Sequence, residues 1–462
     1  MINRIILFFS FVFLTSLSLY GQRNYGQELI DILLEGKCIE ARDFKKQYRE
    51  YLPDNSDFVD IFYKYKMAIF LNKPDSAVIY LHQLVADYED VLGLAKSGFY
   101  GEMLRIYFDM QQFDKGIALC DEIIAYLKRN PFNIEDSDFL NNEIKDTENW
   151  KSSFLEKKDN EPRIKVVRKD TEQGNQIKLY TDSTFIKFDA EYNGHQVKTW
   201  FDTGVSYHLV MEKTLADNIG VKYKHSKDSI IIMNNTPVRA IEGVVDSINL
   251  GNITLYNIPV NVFLEGFTAM IPDSLMNIPE KKELIEKEFS SSQILLGLPT
   301  MFLIGQFEFN WEDLLLILHN DRKDIISEPN IFIKGNRRLY MSVFINSVRY
   351  SGFLDTGASS FIDIDSDFYK KHKEIFTIDT VTQKTPLNFA TATGVFQNIP
   401  YELVQDTKIL FNDNIVPYKP KDVVILKSND STPTNGAIGA VFFRRVGSKV
   451  LFDFINMRIE VK

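Results

Sequence analysis

The residues best suited to chemistry in this chain are two aspartates in matching contexts, Asp202-Thr203-Gly204 and Asp355-Thr356-Gly357. Two carboxyls held a few ångströms apart repel each other's charge, so they share a proton and their pKa values split. The ionised member can activate a water as base while the protonated member donates as acid. Such a pair can hydrolyse a peptide bond with no metal and no covalent nucleophile. One tripeptide of this kind is an ordinary β-turn, so the argument needs the elements around it.

Those elements repeat. The run from Asn193-Gly194 through Val197 and Trp200-Phe201 to Asp202-Thr203-Gly204 is answered by Asn346-Ser347, Tyr350, Phe353-Leu354 and Asp355-Thr356-Gly357. In each copy a turn feeds an apolar strand that delivers Asp to its end. Thr offers a hydroxyl to lock the loop, and Gly lets a second backbone approach closely. Later in each copy an apolar pair precedes a glycine, Leu295-Leu296-Gly297 and Ala437-Ile438-Gly439. Both copies then close in similar runs, Ile304–Leu318 and Val446–Val461. Asn193-Gly194 between β-rich runs is a strong hairpin signal, because both residues tolerate positive φ. Three landmarks in the same order twice imply two related β lobes, 179–325 and 326–462.

With these motifs in hand, the β region resembles the aspartic peptidases, pepsin-like and retropepsin-like. Asp-Thr-Gly followed by a small residue and Ser is their signature, and the later apolar-apolar-Gly is their second landmark. The resemblance covers both lobes and not the N-terminal part. It implies that Asp202 and Asp355 form the catalytic dyad. It implies that Thr203 and Thr356 make reciprocal hydrogen bonds across the lobes, and that Gly204 and Gly357 keep the catalytic loops open to substrate. Lobes this short look more like a retropepsin-type domain duplicated in one chain than like full pepsin lobes. Two departures stand out. Val205 occupies a position where the family prefers Ala, Ser or Thr, whereas Ala358 conforms. The segment expected as the first flap, Ile231–Arg239, has no Tyr; Leu387–Gly394 is the expected second flap.

Other chemistries find little support. The six His are scattered without a His-Glu-x-x-His pattern, so no metal site is expected. Ser206 and Ser359 lack the following Gly of a nucleophile elbow. His208 is expected to be structural, not catalytic. Neither a P-loop nor a dinucleotide fingerprint occurs, and no cofactor is expected. A net charge of -10 argues against nucleic acid, and the short basic run Arg163–Lys169 is expected to be a solvated strand or linker.

At 462 residues the chain exceeds one ordinary domain. Residues 1–21, with Arg4, an apolar run from Ile5 to Leu14 and Gly21, have the order of a secretory signal peptide. The protein is therefore expected to be exported, periplasmic or secreted, with no stable membrane span after cleavage. From 22 to 158 the apolar residues recur at three- and four-residue steps, as in Phe58, Ile61, Phe62, Tyr65 and Ile69. Two stretches there match, Asn72–Ala77 with its following helix and Gln111–Gly116 with its own. This resembles a tetratricopeptide array, and a plain helical bundle is the alternative. Residues 159–178, polar and holding Pro162, are expected to link this region to the lobes. Cys38 and Cys120 fall in helical runs away from the carboxylates, as buried thiols or a pair.

The expected whole is a multidomain α+β protein, an N-terminal α-helical array followed by two mainly-β acid-protease-like lobes. The expected function is an aspartic endopeptidase acting on a peptide or protein substrate, with a protein partner possible on the helical part. The alternative is a weak or inactive peptide-binding protein that keeps the fold, and a third possibility makes the helical part a pro-segment.

Overall fold

Three helix-to-helix turns set the N-terminal architecture. Gly36, Asn72 and Gln111 all adopt left-handed φ, 71°, 51° and 54°. In each turn the next residue's N–H reaches back over the helix end: Lys37 to Ile32, Lys73 to Ala68 and Gln112 to Tyr107. That is the glycine- or asparagine-type helix stop, which satisfies carbonyls a helix end leaves free. Five residues on, each turn places a small buried side chain or none: Ala41, Ala77 and Gly116. The sequence comparison expected two such turns; the structure holds a third, at Gly36, whose flanking residues match the others only in size.

The structure, a computed structural model, describes residues 23–462 except 53–57, 130–136, 170–174, 182–184, 225–228, 234–235, 268–276, 278, 280–281, 284–292, 320–327, 336, 381–386, 392–393, 420 and 428–435. The expected signal segment thus lies outside the described residues, and so do the turn residues of both expected flaps. Among the described residues no helix is long and apolar enough to cross a membrane. The chain forms two compact units, one ending at Arg163 and one beginning at Ile164.

In the first unit helices pair in sequence: Tyr25–Leu34 with Cys38–Gln47, Phe58–Phe70 with Pro74–Asp87, and Lys96–Asp109 with Phe113–Arg129, followed by Ser137–Asn160. Aromatic rings fill the seams, as where Phe62, Tyr65 and Phe99 meet edge to face. The last helix lays Phe154 over Gly116, so closely that a β-carbon at 116 would enter the ring. Gly116→Val is expected to lower the thermal midpoint of this unit by roughly 5–15 °C, as overpacking costs ~1–3 kcal/mol. Circular dichroism melts check this, and an unchanged midpoint would contradict the packing. Cys38 and Cys120 are both buried free thiols here.

The run expected to be a linker is mostly built into the second unit. Lys165–Arg168 pairs antiparallel with Ile253–Tyr256, and Gln176–Lys178 pairs with Leu315–Ile317. The first is the solvated strand that the basic run allowed; polar composition hid the second, and each lies at a sheet edge with much of its surface in solvent.

The β unit repeats its own topology. In the first lobe His195–Asp202 follows Lys187–Tyr192 through Asn193 and Gly194, with φ of 49° and 85°. In the second, Val348–Asp355 follows Arg338–Ile345 through Asn346 and Ser347, with φ of 47° and 69°. Both asparagines spend their side chains alike. Asn193 donates to Ile219 O and accepts from Ser247 N; Asn346 donates to Ile375 O and accepts from Lys408 N. In the first lobe Thr236–Leu250 pairs with Ile253–Phe263 and closes the sheet on itself. The two lobes share a five-stranded sheet in which Gln306–Asn310 pairs antiparallel with Lys449–Asp453. Phe307, Phe309 and Phe452 form its buried face, and Phe201 rests on the first two at 5.0 and 5.4 Å between ring centroids. Phe201 precedes Asp202, so burial of this ring, ~1.5–3 kcal/mol, anchors the loop that follows.

Candidate active site

Each aspartate ends a strand that a second strand passes under in parallel. Gln293–Gly297 aligns with Lys198–Asp202, with Gly297 opposite Asp202; Ala437–Gly439 aligns with Phe353–Asp355, with Gly439 opposite Asp355. The strand after each aspartate, Leu209–Glu212 or Ile362–Ile364, then pairs antiparallel with that same passing strand. The chain therefore threads through its own loop at both sites. Leu298 N donates to Val205 O and Ala440 N to Ala358 O, both at 2.9 Å. A side chain at Gly297 or Gly439 would strike these loop carbonyls, which is why apolar-apolar-Gly recurs.

The two loops are locked to each other by their threonines. Thr203 N donates to Thr356 Oγ1 at 3.0 Å, and Thr356 N donates to Thr203 Oγ1 at 2.9 Å. Each hydroxyl then donates across the interface, Thr203 to Leu354 O at 2.8 Å and Thr356 to Phe201 O at 2.9 Å. All four bonds are buried. Thr356→Val keeps the shape but leaves Thr203 N–H and Phe201 C=O without partners, at ~1–3 kcal/mol each. A lowered denaturant midpoint at unchanged slope is the expected result.

The carboxyls face one another across this lock. Gly204 N donates to Asp202 Oδ1 at 2.8 Å, and Gly357 N donates to Asp355 Oδ1 at 2.9 Å. A β-carbon on Gly204 would fall 2.6 Å from Asp355 Oδ1, and one on Gly357 would fall onto the Asp202 carboxyl. Each aspartate thus lies over the opposite lobe's glycine. Burial first, and then the charge of Asp355, push Asp202 well above the ordinary carboxyl range. Burial also raises Asp355, which keeps partial solvent access. The structure therefore brings together all six residues named from the sequence.

Val205 is buried, and its Cγ1 would lie 2.8 Å from a β-carbon on Gly297, so its bulk packs against the passing strand. His208 is structural in its contacts: Thr300 Oγ1 lies 3.2 Å from Nδ1 and donates to the His208 carbonyl, and burial lowers its pKa to about 4. Both expected flap segments form hairpins. Ser229–Met233 pairs with Thr236–Ala240, and Leu387–Thr391 pairs with Gly394–Ile399. Sequence reasoning missed Asp363, which burial pushes up to about 7, helped by the charge of Asp355. The signal was available: aligned on the two aspartates, Asp363 stands where the first lobe has Val210.

Residues 188–300 match the sequence model of the aspartyl protease family, a span that includes Asp202 and stops before Asp355. This match and the internal repeat agree on where the first aspartate sits. Among solved structures the chain is similar to a retropepsin-like aspartic protease from Rickettsia conorii, at 18% identity over 34% of this chain and 92% of that one, with a TM-score of 0.21. No curated protein matches the chain.

Proposed function

We propose that this chain is an aspartic endopeptidase in which each lobe contributes one carboxylate. The observation that carries this reading is the pair of carboxyls, each seated over the other lobe's glycine and held there by the reciprocal threonine bonds. In the proposed reaction the ionised carboxylate takes a proton from water as its oxygen attacks the scissile carbonyl carbon. The protonated carboxyl gives its proton to the carbonyl oxygen, forming a neutral tetrahedral diol. The proton taken from water then passes to the amide nitrogen, the C–N bond breaks, and a diol hydroxyl returns its proton to the second carboxylate. The pair ends with the one shared proton it began with.

The two hairpins are the elements proposed to cover the substrate. The helix pairs of the first unit, with their three equivalent turns, are proposed as a tetratricopeptide-like platform for a protein partner. Export is proposed from the order of residues 1–21.

The test is cleavage of an unfolded protein substrate with and without a statine-type peptide, whose hydroxyl mimics the tetrahedral diol. Cleavage blocked stoichiometrically by the mimic is the expected result. Absence of cleavage over a full pH range, together with no binding of the mimic, would leave a peptide-binding protein on the same fold.

A further inference from the structure

The two lobes repeat each other closely around the aspartates, so a place where they differ marks a place where the two sides of a bound chain would be treated differently. One such place lies directly beside the dyad. In the first lobe Lys187 is opposite Trp200 in the hairpin ladder, and Phe201 N still donates to Ile186 O. Two residues further, on the same face, Phe185 comes opposite Asp202. In the second lobe Tyr340 is opposite Phe353, and two residues further Arg338 comes opposite Asp355. Phe185 and Arg338 are thus equivalent positions by register, each two residues past the last ladder pair on the aspartate's side, and one is aromatic where the other is cationic.

Their contacts agree with that placement. The Phe185 ring lies 4.2 Å from the Trp200 ring and its carbonyl accepts from Arg444, which fixes the ring in place; the buried Lys187 ammonium lies behind both rings, 5.7 and 4.9 Å from their centroids. The Arg338 guanidinium lies 5.4 Å from the Phe353 ring centroid. Phe353 and Asp355 are both partly exposed, while Gly352 and Leu354 between and beside them are buried. Arg338 is exposed, and among the described residues no acidic side chain pairs with it. Its ladder partner Lys334 adds a second positive charge nearby. Asp365, the acid that acts with Arg338 on Tyr340, is engaged in capping the helix Ser366–Lys371. The charge of Arg338 reaches Asp355, whose proton affinity it lowers.

Resting on the peptidase reading above, we infer that Arg338 is a specificity-determining residue: it selects a carboxylate side chain on the second-lobe side of the scissile bond, with an apolar or aromatic side chain against the half-buried Phe185, backed by the buried Trp200, on the other. A guanidinium pre-set on an aromatic face offers a planar, two-pronged donor, the geometry that favours carboxylates over other acceptors.

The experiment uses the full chain and statine-type peptides with Phe fixed on one side of the hydroxyl and Glu, Gln or Lys on the other, made in both chain directions. Binding is measured by calorimetry near pH 6, where a free Glu is ionised. In one direction the Glu peptide is expected to bind at least about tenfold tighter than the Lys peptide, with Gln between. Arg338→Gln should erase the difference, and Arg338→Glu should reverse it; both variants change an exposed residue, and a thermal melt checks their folding. Equal binding of Glu and Lys peptides to the wild type in both directions overturns this inference alone. So does a Glu preference that survives Arg338→Gln, or a variant that shifts only the pH profile through Asp355. If none of the peptides binds, the peptidase reading falls and this inference with it.

Discussion

Asp202→Asn and Asp355→Asn are each expected to leave peptide cleavage at least about 1,000-fold below wild type while the protein remains folded. In the proposed reaction either change removes a group that alternately accepts and donates a proton, and general acid–base catalysis of this kind contributes ~10²–10⁴-fold per group. Asn keeps the oxygen that accepts from Gly204 N or Gly357 N, so the loop bonds survive. The stability effect has a defined sign. Burial raises both carboxyls above their unfolded values, and the charge of Asp355 raises Asp202 further, so the folded state holds its protons longer. Their contribution to stability is therefore greatest below the unfolded pKa and declines as pH rises through the folded one. Each Asn variant should show a shallower loss of thermal midpoint above about pH 4, measured as a pH series of melts. The same shift extends activity upward, since the acid is lost only when both carboxyls ionise. A variant that cleaves at the wild-type rate would remove that aspartate from the mechanism.

Gly357→Ala should be nearly as damaging, for a purely steric reason. Its backbone is not in the left-handed region, so alanine meets no conformational penalty there. The added methyl falls instead onto the carboxyl of Asp202, which is buried and pinned by Gly204 N–H. Either the carboxyl or the loop must shift, and the threonine bonds oppose a shift of the loop. A displacement of this size in a dyad that must act on one water is expected to lower the cleavage rate by ~10²-fold or more. Gly204→Ala should act in the same sense through Asp355. Activity within threefold of wild type for Gly357→Ala would mean that the carboxyls do not lie over the opposite glycines.

Several features were legible in the residues because they are local. Asn193-Gly194 and Asn346-Ser347 announced tight turns through their tolerance of positive φ, and each turn forms with both residues left-handed. Asp-Thr-Gly and the later apolar-apolar-Gly announced two copies of one motif. The first helical turn at Gly36 was not legible, because what it shares with Asn72 and Gln111 is a backbone angle and a small residue five positions on. The basic run Arg163–Lys169 left strand and linker open, and Lys165–Arg168 forms the strand; Gln176–Lys178 escaped notice because edge strands need no apolar pattern.

By itself the sequence determined that two equivalent aspartates exist, that each ends an apolar strand, and that a glycine must come beneath each loop. Only the tertiary structure decided that the two loops meet, because the threonine bonds join residues about 150 positions apart and no local preference encodes them. It also decided which way Val205 turns, since a side chain after a loop takes its direction from the strand passing under it. The same holds for Asp363, Phe185 and Arg338: their places beside the dyad come from ladder register, which is settled by pairing between strands and not by any one strand alone.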